Sequence, residues 1–310
     1  MVQLLLLKGA DKDAFDNEEM TPLFWAASEG HVASALALLA AGADVSLRCG
    51  VEFKIPVMCI AAKHGLIEIL RAVIEHGADV DAVDGRQSTA LHGAAFNKKA
   101  EAIDVLVEAG TNIEARNIHG STPLHLASMN LSHEALLCLL KHGAAVNARN
   151  DSHQTSLMYA AYKAGTQGAA EVVDILLRAG ADETVIDNDG QKALDIIGDG
   201  VEEENRLAED VERVSELLAN APADRAWRRR GFLVLCRAHP DRVQQSQVIR
   251  CFRDTGTARM TRSRAKRARE REGAGDDGVD ESTGADWAVV VAKVLQWQEE
   301  GIFRTIVGYM

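Results

Sequence analysis

Asn117-Ile-His-Gly-Ser-Thr122-Pro123-Leu124-His125-Leu-Ala127, then Glu134-Ala-Leu-Leu-Cys-Leu-Leu140, then Gly143-Ala-Ala-Val-Asn147-Ala-Arg149 is the stretch that decides the fold. Thr122 is a good N-cap, because its hydroxyl can accept a free amide of the first helical turn. Pro123 suits the first helical position, where no amide is needed. Leu124, Ala127 and Ser128 then face a neighbour. In the second segment Ala135, Leu136, Leu139 and Leu140 fall on one helical face, and Gly143 ends the helix as a residue free to adopt a left-handed backbone. Two helices this short cannot bury such a face by themselves.

The rest of the chain from Val2 to about Leu218 supplies what they need. Aligned on the Thr-Pro-Leu-His position, copies begin at Asp16, Val51, Asp84, Asn117, Asn150 and Asp187, with spacings of 35, 33, 33, 33 and 37 residues. A period in that range marks a stacked repeat array, whose stability is a sum of repeat and interface contributions.

Thr21-Pro22-Leu23, Thr89-Ala90-Leu91-His92, Thr122-Pro123-Leu124-His125 and Thr155-Ser156-Leu157 open these copies. Gly42-Ala43-Asp44, Gly77-Ala78-Asp79, Gly110-Thr111-Asn112, Gly143-Ala144-Ala145 and Gly180-Ala181-Asp182 close them. In register over roughly the first 200 residues, the pattern resembles ankyrin repeats. It departs from the family at Pro56-Val57-Met58-Cys59, which replaces Thr-Pro-Leu-His, and at Leu131-Ser132, where Gly-His is usual. About four residues are added around Gly165-Thr-Gln-Gly168. The resemblance implies an all-α solenoid of helix-turn-helix repeats with β-turn fingers, about six in number.

The expected organisation is a half repeat over 1–15, an array with a C-terminal cap helix over 16–220, and a helical extension over 221–254. A linker too polar to fold over 255–284 and an amphipathic helix over 285–310 complete it. The opening Met1-Val-Gln-Leu-Leu-Leu-Leu7-Lys8-Gly9-Ala10-Asp11 lacks the basic start and small-residue cleavage site of a signal peptide. It reads as the second half of a repeat, so either a first helix lies upstream or this half unit is a cap. Val201 to Leu218, with Leu207, Val211, Val214 and Leu218 at helical spacing, reads as the terminal cap.

The net charge of −12 conceals an asymmetry. Residues 1–220 hold 17 Lys and Arg against 34 Asp and Glu, whereas 225–271 hold 15 against 3. The basic part either meets an anionic partner or folds back on the acidic array. Its densest run, with Arg262, Arg264, Lys266, Arg267 and Arg269, reads as a nuclear import signal, an anion contact or a solvated linker. No aromatic interleaves these residues, which disfavours direct nucleic-acid binding.

Catalytic motifs are missing: there is no phosphate-binding glycine loop, nucleophile elbow or His-Glu-x-x-His. The five cysteines lack Cys-x-x-Cys spacing and read as reduced thiols of an intracellular protein. Asp187-Asn-Asp189-Gly190 has only part of a calcium loop and occupies a turn position. His92 and His125 are expected to bond neighbouring turns, and His76 and His142 precede turn glycines, so no metal or cofactor is expected. No apolar run is long enough to span a membrane.

The resemblance places partner binding on the concave surface formed by the fingers and the first helices. Large residues there are Trp25, Phe53, Phe96, Met129, Tyr159 and Tyr162, with Arg86 and His119 at finger tips. Aromatic and Arg anchors dominate interface energies. Trp25 and Tyr159, just before the packed alanine pairs, also read as core, leaving Phe53, Phe96, Met129 and Tyr162 as candidates for one contact surface. The expectation is a monomeric, non-catalytic scaffold binding a protein partner in the cytoplasm or nucleus; the alternative is a nuclear-targeted regulatory or nucleic-acid-associated protein acting through the Arg-rich segment 259–271.

Overall fold

A computed structural model describes residues 1–238, with side chains through 223. Five helix pairs follow one another. They are α2 (Pro22–Ser28) with α3 (Val32–Ala40), α4 (Val57–His64) with α5 (Ile67–Glu75), and α6 (Ala90–Phe96) with α7 (Ala100–Glu108). Then come α8 (Pro123–Met129) with α9 (His133–Lys141) and α10 (Ser156–Tyr162) with α11 (Ala169–Ala179). First helices stack in the order α2, α4, α6, α8, α10, and second helices in the order α3, α5, α7, α9, α11. The result is the all-α repeat solenoid expected from the sequence. Helix α1 (Val2–Leu7) packs on α3 through Val2 and Leu6.

The core follows from residue size. Ala27, Ala61, Ala62, Ala94, Ala95, Ala127, Ala160 and Ala161 are wholly buried where first helices meet, so adjacent backbones approach closely. Leu70, Ile103, Leu106, Leu136 and Leu139 fill the layer beneath, also without exposure. A fully buried leucine contributes about 2 kcal/mol, and each unit gains it only by stacking.

Hydrogen bonds order the fingers and tie successive units together. In the fingers, Asp16, Asp84, Asn117, Asn150 and Asp187 each accept from the amides two and four residues on, at 2.8–3.1 Å. The Asp187 carboxylate of the partial calcium-like sequence is therefore spent on turn amides. Fingers also bond one another: Ile118 N–H donates to Arg86 O at 2.9 Å, and Asp151 N–H to His119 O at 3.1 Å. In the turns that lead into the fingers, Asp13, Asp81, Glu114 and Asn147 accept from amides of the next repeat's turn at 2.7–2.9 Å.

The departures from the family pattern have local solutions. In the second copy a short antiparallel pair, β1 (Arg48–Cys49) and β2 (Ile55–Pro56), makes the finger. Its Cys59 thiol, in the motif's histidine position, points at the next finger's Ala82 O and Ser88 O, at 3.8 and 4.0 Å. Lys98 and Leu131 occupy left-handed backbone, at φ of 61° and 48°, where the first two copies use Gly30 and Gly65. Leu131 is buried, but Lys98 is exposed. Lys98→Gly therefore removes strain at no packing cost. It should stabilise the chain by about 0.5–1 kcal/mol, read from the urea midpoint at unchanged slope.

The inserted residues of the fifth copy are clamped from outside the array. Asp210 accepts from Gly165 N–H at 3.0 Å and Ala170 N–H at 3.4 Å, and Leu207 N–H donates to Gly165 O at 2.9 Å. Gly165 itself is left-handed, with φ of 93°, and a side chain there would strike Arg206.

The sixth unit keeps its finger but not its first helix, because Ala193–Gly200 forms turns that bury Ala193 and Ile196. The cap helix α12 spans Ala208–Ala238, so it starts seven residues later than the sequence suggests and does not stop at Asn220-Ala-Pro222. Pro222 lies inside it, where the missing amide leaves one helical bond unmade. Val214 and Leu218 of the expected stripe are buried, while Leu207 is half exposed at the helix start. The expected linker and final helix, 255–310, lie outside the described residues. No helix among the described residues is long and apolar enough to cross a membrane.

Candidate functional site

Phe96, Met129 and Tyr162 are the last residues of α6, α8 and α10, one per repeat and in strict register. They are 41%, 39% and 43% exposed. Each ends a first helix whose alanine pair or Ala-Ser pair just before it is buried, so the row presents bulky apolar surface outward instead of into the core. Lys63 holds the same position in the second repeat and is exposed. The third and fourth repeats are further tied here by Asn130 Nδ2, which donates to Phe96 O. Tyr162 is held from the far side: Gly200 N–H donates to its carbonyl at 2.8 Å, and any side chain at Gly200 would collide with its ring.

The other large candidates lie on the fingers. The Arg86 guanidinium lies 4.7 Å from the centroid of the Phe53 ring, a cation–π pair joining the second and third fingers. Phe53 is half-buried by it and not freely presented. His119 is exposed at the next tip.

Trp25 and Tyr159, which read alike in the sequence, differ in the structure. Trp25 is 41% exposed and not core, because its indole Nε1–H donates to Asp16 at 2.7 Å and holds the ring along the first finger. Tyr159 is half-buried, with its hydroxyl accepting from Asn150 at 3.1 Å and its ring edge-to-face with His125 at 5.7 Å. That makes Tyr159 chiefly a brace. Arg262, Arg264, Lys266, Arg267 and Arg269 lie outside the described residues.

The motif histidines are structural. Thr122 N–H donates to His125 Nδ1 at 3.1 Å, which fixes the proton on Nε2, where it is donated to Gln154 O at 3.1 Å. His92 repeats this arrangement with Thr89 and Ser121 O. Each ring thus closes a capping box and reaches the next finger. Burial lowers the pKa of both, that of His125 to about 4. Burial also pushes the Cys59 and Cys138 thiols up to about 12, so neither is a reactive nucleophile at neutral pH.

One grouping escapes sequence reading: Asp104 of α7 with Cys138 of α9 and its C-cap His142. The Cys138-x-x-x-His142 spacing was a visible signal, but Asp104 comes from a different repeat.

Comparison with known proteins agrees with this architecture. The ankyrin repeat profile matches residues 18–49, and a profile described as ankyrin repeats (3 copies) matches 47–117 and 114–187. Together they span more than half of the chain. Among solved structures, the ankyrin repeat domain of Bcl-3, described as a unique member of the IkappaB protein family, is similar. It shares 27% identity with a TM-score of 0.56, over 70% of this chain and 90% of that one. Fold, motif register and profile matches agree: the chain belongs to the ankyrin repeat family, whose members are protein-interaction modules.

Proposed function

We propose that the chain is a non-catalytic scaffold that captures a protein partner on the free face of its first-helix row. The supporting observation is the register of Phe96, Met129 and Tyr162, three large apolar residues at one position of three successive helices, each about two-fifths exposed. Burying such anchors supplies most of the energy of an interface, at about 1–2 kcal/mol or more each. Arg86 and His119 at the finger tips, with Lys63 and Trp25 toward the N-terminal end, give the rim polar and cationic contacts. Such a partner would present an apolar ridge with acidic or carbonyl groups beside it. The scaffold works as a monomer in the cytoplasm or nucleus.

The test is capture from native lysate by the full chain and by a Phe96→Ala/Met129→Ala/Tyr162→Ala variant with an unchanged far-ultraviolet dichroism spectrum. The variant should lose at least about a hundredfold in affinity for the captured protein. Equal capture by both would refute this surface as the site.

A further inference from the structure

We propose that Asp104, Cys138 and His142 form a binding site for a thiophilic divalent cation of the zinc class, linking the third and fourth repeats. Cys138 and His142 are four residues apart at the end of α9, a spacing that puts two side chains on one helix face. Asp104 faces them from α7. Its Oδ1 lies 3.3 Å from Cys138 Sγ and 2.6 Å from His142 Nε2, and all three ligand atoms fall within 4.8 Å of one another.

These separations suit a small tetrahedral centre. Bonds of about 2.0–2.3 Å place ligand atoms roughly 3.3–3.8 Å apart. The sulfur–oxygen distance already has that value, and the oxygen–nitrogen distance has to open by about 1 Å. Both partners can turn to allow it, since the Asp104 and His142 side chains are 40% and 23% exposed while Cys138 is anchored in the core. One sulfur, one nitrogen and one oxygen donor favour zinc over calcium or magnesium, which take oxygen ligands.

On binding, the metal replaces the thiol proton of Cys138, which leaves to solvent, and water completes the fourth position. Thiolate and carboxylate together balance the metal's charge. Lys141 Nζ, 3.7 Å from Asp104, opposes the metal but sits on a 72% exposed side chain free to swing away.

The site is particular to one interface, not a product of the repeat pattern. In register, the junction before it offers Arg71, Val105 and Ala109, and the one before that Leu36, Ala72 and His76. Among these junctions, only the third-to-fourth brings three metal-ligating side chains together.

The experiment titrates cobalt(II) chloride into chelator-treated full-length protein and follows thiolate-to-cobalt charge-transfer absorption, then displaces the cobalt with zinc chloride. The expected result is one cobalt per chain with a thiolate band that zinc abolishes. Cys138→Ala should remove the band, His142→Gln and Asp104→Asn should each weaken binding at least about tenfold, and Lys141→Ala should tighten it. His142→Gln changes a partly exposed helix end, so it tests the site without disturbing the core. Absence of a thiolate band, or a band undiminished in Cys138→Ala because other thiols hold the ion, would overturn the proposal.

Discussion

The unfolding free energy should fall by about 3 kcal/mol between pH 6.5 and pH 4 on account of His125 alone, with a further loss from His92. In the unfolded chain a histidine takes up its proton near pH 6.5, whereas burial lowers the folded-state value of His125 to about 4. Across that window the unfolded state binds the extra proton, so stability is full above 6.5 and declines as pH falls toward the folded value. Burial is the main cause, since it disfavours the charged ring; in addition Nδ1 already accepts from Thr122 N–H, and a second proton there would break the capping box. His125→Gln supplies the side chain that capping boxes commonly use and does not titrate. The variant should be less stable at pH 7, having lost the fit to Gln154 O, but its stability should be flatter between pH 6.5 and 4. Urea unfolding at half-unit pH intervals checks this, and parallel slopes for both proteins would sink the assignment. Asp16, Asp44 and Asp104, whose carboxyls are held below the usual range by hydrogen bonds, act in the same direction but below this window.

The repeated helix pairs were legible because local and tertiary signals coincide in each unit. Thr122 caps, Pro123 starts, the small residues Ala127 and Ser128 pack, and Gly143 stops, and the same order recurs in neighbouring copies. Even the unusual second copy follows this logic, since Cys59 reaches the same finger carbonyl that histidine reaches elsewhere. What the sequence concealed arises between elements. Trp25 looked partly like core from its place beside Ala26 and Ala27, but Asp16, nine residues earlier, draws its indole to the finger. The α12 start was displaced because Ala193–Gly200 packs as turns over the end of α10, and Asp210 is engaged with the fifth copy's insertion. The Asp104–Cys138–His142 grouping is spread over two repeats, each contributing residues that look ordinary alone. The row of Phe96, Met129 and Tyr162 was visible as a period, whereas its exposure required the stacking.

Leu106→Ala should cost about 3 kcal/mol and split the unfolding of the array into two transitions. Leu106 is fully buried in α7, the central second helix, which packs on α5 on one side and α9 on the other. Removing its side chain deletes the transfer energy of three heavy atoms and leaves a cavity among residues such as Ile103 and Leu136, which are equally inaccessible. In a compact domain such a loss lowers the stability of everything together. In a linear array it weakens one repeat and both of its interfaces, so cooperativity breaks there. The first two repeats then unfold apart from the fourth, fifth and α12, whose insertion clamp by Asp210 gives that side additional support. Amide exchange should show α3 opening at lower urea than α11 in the variant, and at the same urea in the parent chain. A single transition with coincident protection of α3 and α11 would mean that the array is held together by more than nearest-neighbour stacking. The finger ladder, in which Ile118 N–H bonds Arg86 O and Asp151 N–H bonds His119 O, is the element that could carry such longer coupling. Because the apolar row runs from α6 to α10, a partner seated on it would bridge the junction between the third and fourth repeats, and bound partner should restore the single transition.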